Sequence, residues 1–300
     1  MTPPLFGSFQ EWGEYLRLTG ETAWTPVMNY EITQKSRTET EIWDGLARAY
    51  AVMKDAVEVG LSQDMTSFSG LINNGAKKVR DCKISVLGER FQKLVYRSLA
   101  AKEVNSCMGR VVAAPTAGAS GIMPGCLVQL QEDHGLSDRK IYEAMLVAAG
   151  TGLIIERRAS IAGAVGGCQA ETGTAAAMSA AAVVYALGGP HHQIFAAVTI
   201  TVMNMLGLIC DPIAGLVEVP CVKRNASGAV IAFAAAQMAL ADYDPVIPTD
   251  EVVDVMGEVG DSMDAKYKET AMGGLAATPT GREITARILK NPSQSIAEEE

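Results

Sequence analysis

The 300-residue chain has no surplus of positive charge: 25 Lys and Arg stand against 34 Asp and Glu, a formal net charge of −9. That balance, with the Glu298-Glu299-Glu300 end, excludes the cation-rich face that a nucleic acid or an anionic membrane would need, and leaves small molecules or proteins as partners. The opening MTPPLFGSFQEW lacks a basic region followed by an apolar core, so no secretory signal is read there and the cytosol is the expected compartment. C-x-x-C pairs are missing, and six cysteines in 300 residues are too sparse for a disulfide-stapled fold. They are expected to stay reduced, as ligands or as small core residues. Period-two alternation is scarce, and there is no internal repeat, low-complexity linker or charge block to divide the chain.

What is abundant is apolar material: 48% hydrophobic residues against 20% charged is enough to enclose a substantial core. The pattern predicts an all-α fold, a single Ala/Gly-rich helical domain over residues 1–300 with a buried central helix set. Helical spacing covers 8–19 and 39–59, where Thr38 or Thr40 can cap and Ile42, Leu46, Tyr50, Met53 and Val57 share a face. Further helices are read at about 89–110, 121–133, 138–155, 169–187, 192–208, 225–241 and 249–270. Ser62 to Gly75 reads as a structured loop, and only Val219 and the 82–87 segment look strand-like. From Thr172 to Cys210 there is no Lys, Arg, Asp or Glu. A membrane hairpin would fit that length, but Ala and Gly dominate it and no aromatic or basic belt flanks it, so buried core is the better reading.

Three cysteines mark that stretch: Cys168 and Cys210 at its edges and Cys221 just beyond. Thiolates beside an apolar interior are costly unless a metal or an iron–sulfur cluster neutralises them. Their wide spacing is unlike the compact runs of ferredoxins or zinc ribbons, and each taken alone is more often a small core hydrophobe than a ligand. Three glycine-rich segments frame them: Ala114 to Gly121 (APTAGASG), Gly163 to Cys168 (GAVGGC) and Ala271 to Ala276 (AMGGLA). Each can bring bare backbone N–H groups up to an anion such as a substrate carboxylate, or can merely cap and pack helices. His191-His192 reads as a loop-to-helix junction, His134 as a helix C-terminal residue before Gly135, and Cys82, Cys107 and Cys126 as core.

Cys168 in GGCQAETG, Cys210 in GLICDPIAG and Cys221 in VEVPCVKRNA, with APTAGASGIMPG and ETAMGGLAATPTG, together resemble the α-chain of the iron–sulfur-dependent L-serine dehydratases from about residue 40 to 282. The resemblance implies a [4Fe–4S] cluster on Cys168, Cys210 and Cys221, with one iron left open to act as a Lewis acid on the substrate hydroxyl. It implies an amino-acid substrate, a carbon–oxygen lyase yielding pyruvate and ammonia, and a separate β-chain or homo-oligomer. Lys223, Arg224 and Asn225 are the expected clamp and catalytic group. Thr116, Ala117, Gly118, Ser120, Gly121, Gly273 and Gly274 are the expected substrate-binding backbone and hydroxyls. Glu171 stays open between facing the cluster and pairing a cation, and no base is named. No cysteine follows Cys221 to plug the open iron, and Cys126 stands where the family carries a smaller residue. Desulfidation of cysteine, dehydration of threonine, a pyridoxal-phosphate lyase and a non-enzymatic cluster subunit remain alternatives.

Overall fold

Every regular element among the described residues, 7–86 and 88–290 of this computed structural model, is helical. The opening MTPPLF, position 87 and the Glu298-Glu299-Glu300 end lie outside them. Thirteen α-helices follow in order: α1 Phe9–Thr19, α2 Thr25–Gln34, α3 Glu39–Ser62, α4 Gly75–Asp81, α5 Glu89–Ser106, α6 Ile122–His134, α7 Asp138–Arg158, α8 Gly163–Cys168, α9 Thr174–Ala186, α10 His191–Met205, α11 Cys221–Leu240, α12 Thr249–Ser262 and α13 Pro279–Lys290. The all-α expectation holds, and only isolated bridges, Thr66 with Asn73 and Cys210 with Lys268, occur in place of strands. Neither Val219 nor the described part of 82–87 forms one.

The uncharged stretch becomes the centre of the molecule. All thirteen residues of α9 are buried, because its alanines present no polar group on any side and let neighbouring helices approach closely. α7, α10, α11 and α6 surround it. No helix among the described residues is long and apolar enough to cross a membrane.

Around this centre the amphipathic helices behave as their spacing requires. α3 opens on a capping box, in which the Thr38 hydroxyl accepts from Glu41 N at 3.2 Å while the Glu41 carboxylate accepts from Thr38 N at 2.8 Å. Ile42, Tyr50, Met53 and Val57 are buried on one face of it. α6 ends at His134 with Gly135 in the left-handed region at φ 60°. His191 and His192 begin α10 with rings 6.1 Å apart and steeply inclined, so they do not converge on a ligand. The Ser62–Gly75 loop is structured, as expected: Ser67 N donates to Ile72 O and Asn74 N to Met65 O.

Three corrections concern elements. α2, α4 and α13 were not foreseen, and α11 begins at Cys221 rather than 225. The span expected at 169–187 opens instead with a π turn, Gln169–Gly173, directly after a break at Gly167 (φ 75°, ψ −174°). Of the cysteines expected in the core, Cys126 is buried and Cys107 half-buried, but Cys82 is exposed. Its neighbours Lys83 and Ile84 are exposed too, in a connection with no apolar face to bury.

Candidate active site

The three cysteines sit at breaks between helices, where the backbone is irregular or a helix begins. Cys168 lies where α8 gives way to the π turn. Gln169 fixes that junction: its N donates to Leu208 O at 2.9 Å, its side-chain NH2 to Met256 O at 2.9 Å, and its Oε1 accepts from Gly207 N at 2.9 Å. π turns interrupt helices frequently at functional sites. Cys210 is held by the 265–269 segment, donating from its N to Tyr267 O at 2.8 Å and accepting at its O from Glu269 N at 3.1 Å. Cys221 is the first residue of α11, preceded by the cis Val219–Pro220 bond.

All three thiols are buried, at 1%, 2% and 5% exposure, and their charges are mutually felt. The Cys210 thiol donates to Cys168 and brings the Cys168 thiol down to about 7, against the opposing effect of burial and with help from Thr172 and Arg224. Cys210 accordingly keeps its proton strongly. Burial pushes Cys221 up to about 12, with the Cys168 charge adding to it and Lys102 and Arg224 opposing. A thiol set of this kind binds a metal only by losing protons, and it provides soft sulfur donors. Among the described residues no three His, Cys, Asp or Glu side chains form the tight group that holds a single metal ion. A cubane distributes its thiolates over separate irons and does not need such a group. A cradle is also present: a Cβ built on Gly163 would lie 3.3 Å from Cys210 Sγ and from Glu269 Oε2, and 3.6 Å from Glu171 Oε2. Only a glycine leaves that face clear, so the donor set and its surroundings fit an iron–sulfur cluster.

Glu171, on the π turn, accepts a hydrogen bond from the Thr116 hydroxyl. Burial raises its carboxyl above the ordinary carboxylate range, the Thr116 bond opposes this, and the Glu269 charge adds to it. The Glu171 charge acts on Cys168 and Cys221, and it forms no ion pair with Lys223 or Arg224 among the described residues. The 116–121 segment is fastened to α11 by Asn225, whose side-chain NH2 donates to Gly118 O at 2.8 Å and Cys221 O at 2.9 Å, while its Oδ1 accepts from Gly121 N at 2.8 Å. Thr116, Gly118, Ser120 and Gly121 are thus brought to the site, with Ala117 on its exposed rim.

Residues expected as a clamp separate. Lys223 is exposed, and its charge is felt by Glu103 rather than by the thiols. Arg224 pairs with Asp211 at 2.9 Å, donates to Ile209 O at 2.8 Å and hydrogen-bonds Cys168. Asp211 in turn accepts from Leu275 N at 2.7 Å. Gly274 (φ 58°) allows this, since a Cβ there would collide with the Asp211 carboxylate. Gly274 therefore lets Leu275 hold Asp211 and, through it, Arg224, whereas Gly273 packs against Lys266. The residues not anticipated are Asp211, Thr172, Glu269 and Lys102. For Lys102 a signal existed: a Lys-Glu pair inside the otherwise apolar run Leu99 to Val104.

The profile of the family described as serine dehydratase alpha chain matches residues 19–276. The chain is 45% identical to the "Probable L-serine dehydratase, alpha chain" of Bacillus subtilis over 86% of either chain. It is 44% identical to the "L-serine dehydratase, alpha chain" of Peptoniphilus asaccharolyticus, covering 88% of this chain and 91% of that one. The "L-serine dehydratase" of Streptomyces coelicolor is 37% identical over 89% of this chain, which spans 60% of that longer protein. With a family profile matched over most of its length and relatives covered nearly end to end, the chain belongs to the serine dehydratase alpha chain family.

Proposed function

We propose that this protein is the catalytic α-chain of an L-serine dehydratase, a carbon–oxygen lyase that converts L-serine to pyruvate and ammonia with a [4Fe–4S] cluster held by Cys168, Cys210 and Cys221. The observation that carries the reading is the convergence of these buried thiols, from three separate segments, beside Glu171 in a chain of this family. When bound, the cluster supplies one iron free of protein thiolate, a Lewis acid that makes the β-hydroxyl a better leaving group.

The chain's own residues do the rest. Arg224 lies against Cys168 and balances the negative charge that accumulates when the thiols ionise. Glu171, raised by burial, carries a proton at its carboxyl oxygen to higher pH than an ordinary glutamate and can exchange it with the reacting groups. Asn225 and the Asp211–Gly274 contact fix the loops that close the site, so that the donors are positioned before substrate arrives. Loss of the α-proton and of the β-hydroxyl yields an enamine, whose tautomerisation and hydrolysis give pyruvate and ammonia.

The same reading makes the β-chain a separate partner: shorter relatives carry the name alpha chain, whereas the Streptomyces relative extends well beyond the matched region. The thiol site itself takes no residue from a second copy, since all three proposed ligands come from one chain. The six cysteines, all free, suit the reducing cytoplasm. The test is anaerobic iron and sulfide analysis with L-serine turnover. About four irons per chain are expected in the parent, and Cys168→Ala, Cys210→Ala and Cys221→Ala each lose the cluster and pyruvate formation. Full iron retention in any of the three variants overturns the ligand assignment.

A further inference from the structure

With Lys223 in solvent, Arg224 committed to Asp211 and Asn225 to backbone groups, the site needs another cation for a substrate carboxylate. One is present on α5. Lys102 is fully buried, and its Nζ donates to Val217 O at 3.1 Å and to Asn105 Oδ1. Both acceptors are neutral, and one N–H is left without a partner among the described residues. The negative groups that act on it, Cys221, Glu171 and Glu218, belong to three other segments. Both carboxylates are already occupied: Glu218 accepts from Ser67 Oγ at 2.6 Å and from Ser69 Oγ, and Glu171 accepts from Thr116.

A buried ammonium without a counter-ion is costly, and desolvation lowers Lys102 from its ordinary 10.5 to about 8. Beside it lies a second incomplete group. The Ser120 hydroxyl is fully buried and has no hydrogen-bond partner. Its neighbour Gly121 abuts the Lys102 stem, since a Cβ built there would lie 2.8 Å from Lys102 Cβ and 3.1 Å from Asn225 Oδ1. A buried cation without a counter-ion and a buried hydroxyl without a hydrogen-bond partner, on segments that touch where Gly121 meets the root of the Lys102 side chain, are what a ligand-supplied anion would complete.

We propose that Lys102 is the cation that receives the substrate's α-carboxylate, with the Ser120 hydroxyl as its neighbouring donor. This rests on the active-site reading above and deepens it by assigning the carboxylate subsite.

The test uses the anaerobically purified holoenzyme, with any second chain that copurifies. Inhibition by L-alanine and by L-alaninamide is compared, alongside KM for L-serine. The parent should bind L-alanine at least about 10-fold more tightly than the amide. In Lys102→Met that preference disappears and KM for L-serine rises about 10- to 100-fold, with kcat changing less and iron content unchanged. Lys102→Arg recovers part of the preference. Should Lys102→Met fail to fold, Ser120→Ala must still narrow the preference. A parent that does not distinguish acid from amide, or variants that keep the distinction, overturn the proposal while leaving the dehydratase reading intact. A parent that holds iron but never forms pyruvate sinks that reading instead.

Discussion

A lysine sealed from water without a counter-ion makes stability depend on pH, and the sign follows from the direction of its shift. Lys102 titrates near 8 in the folded chain and at its ordinary 10.5 when unfolded. Between these values the unfolded state binds more protons, so this residue's contribution to stability rises with pH across that window, and its full penalty applies below it. Cys107 and Cys126, raised by burial to about 11 and about 12, act oppositely above about pH 9. Comparing cluster-free parent with cluster-free Lys102→Met cancels those thiols. The stability difference in urea should shift toward the parent by about 2 to 3 kcal/mol between pH 7 and pH 10. A difference that stays constant over that range means that Lys102 is not desolvated as described. At this scale the motifs single out Cys168, Cys210 and Cys221, which are buried, but the commitments of their neighbours are not legible from those motifs. Consecutive helical residues point about 100° apart, so Lys223, Arg224 and Asn225 could not form one clamp. The first enters solvent, the second follows the 209–211 segment and the third turns inward.

Elements were readable where periodicity ran long. α3, α5, α6, α7, α10 and α12 announce themselves by apolar spacing or caps, and α9 by its lack of any charge. α4, with seven residues, spans too few turns for that, and the π turn depends on tertiary fixation through Gln169 that no local pattern encodes. Close packing between elements is similarly a tertiary matter. Where α6 crosses α5, a Cβ at Gly125 would lie 2.8 Å from Ser98 Cβ and 2.9 Å from its Cα and N. Those last two atoms are backbone, so the helices must separate. Gly125→Ala is therefore expected to cost about 1–3 kcal/mol by overpacking, lowering Tm by several degrees. Because α6 starts directly after the 116–121 segment, KM for L-serine should rise as well. A variant with the parent's Tm would show that the two helices are not in such close contact.

For the molecule as a whole, core and site are separate constructions. The core is helix against helix around α9, and its burial needs nothing from outside the chain. The site is built from connecting segments joined by single polar contacts: Gln169 to 207–208, Cys210 to 267–269, Asp211 to Arg224 and Leu275. The short helical turn at 213–215 contributes no buried residue. Segments with few buried apolar contacts open at lower free energy than the packed core, so removing the proposed cluster should loosen them selectively. Hydrogen exchange of anaerobic holoprotein against its chelator-stripped form should show faster exchange confined to about 206–220 and 263–278, with α7, α9 and α10 protected alike in both. If α9 loses protection together with those loops, the cluster holds the core itself together, and the division between a self-sufficient helix array and a ligand-organised site is wrong.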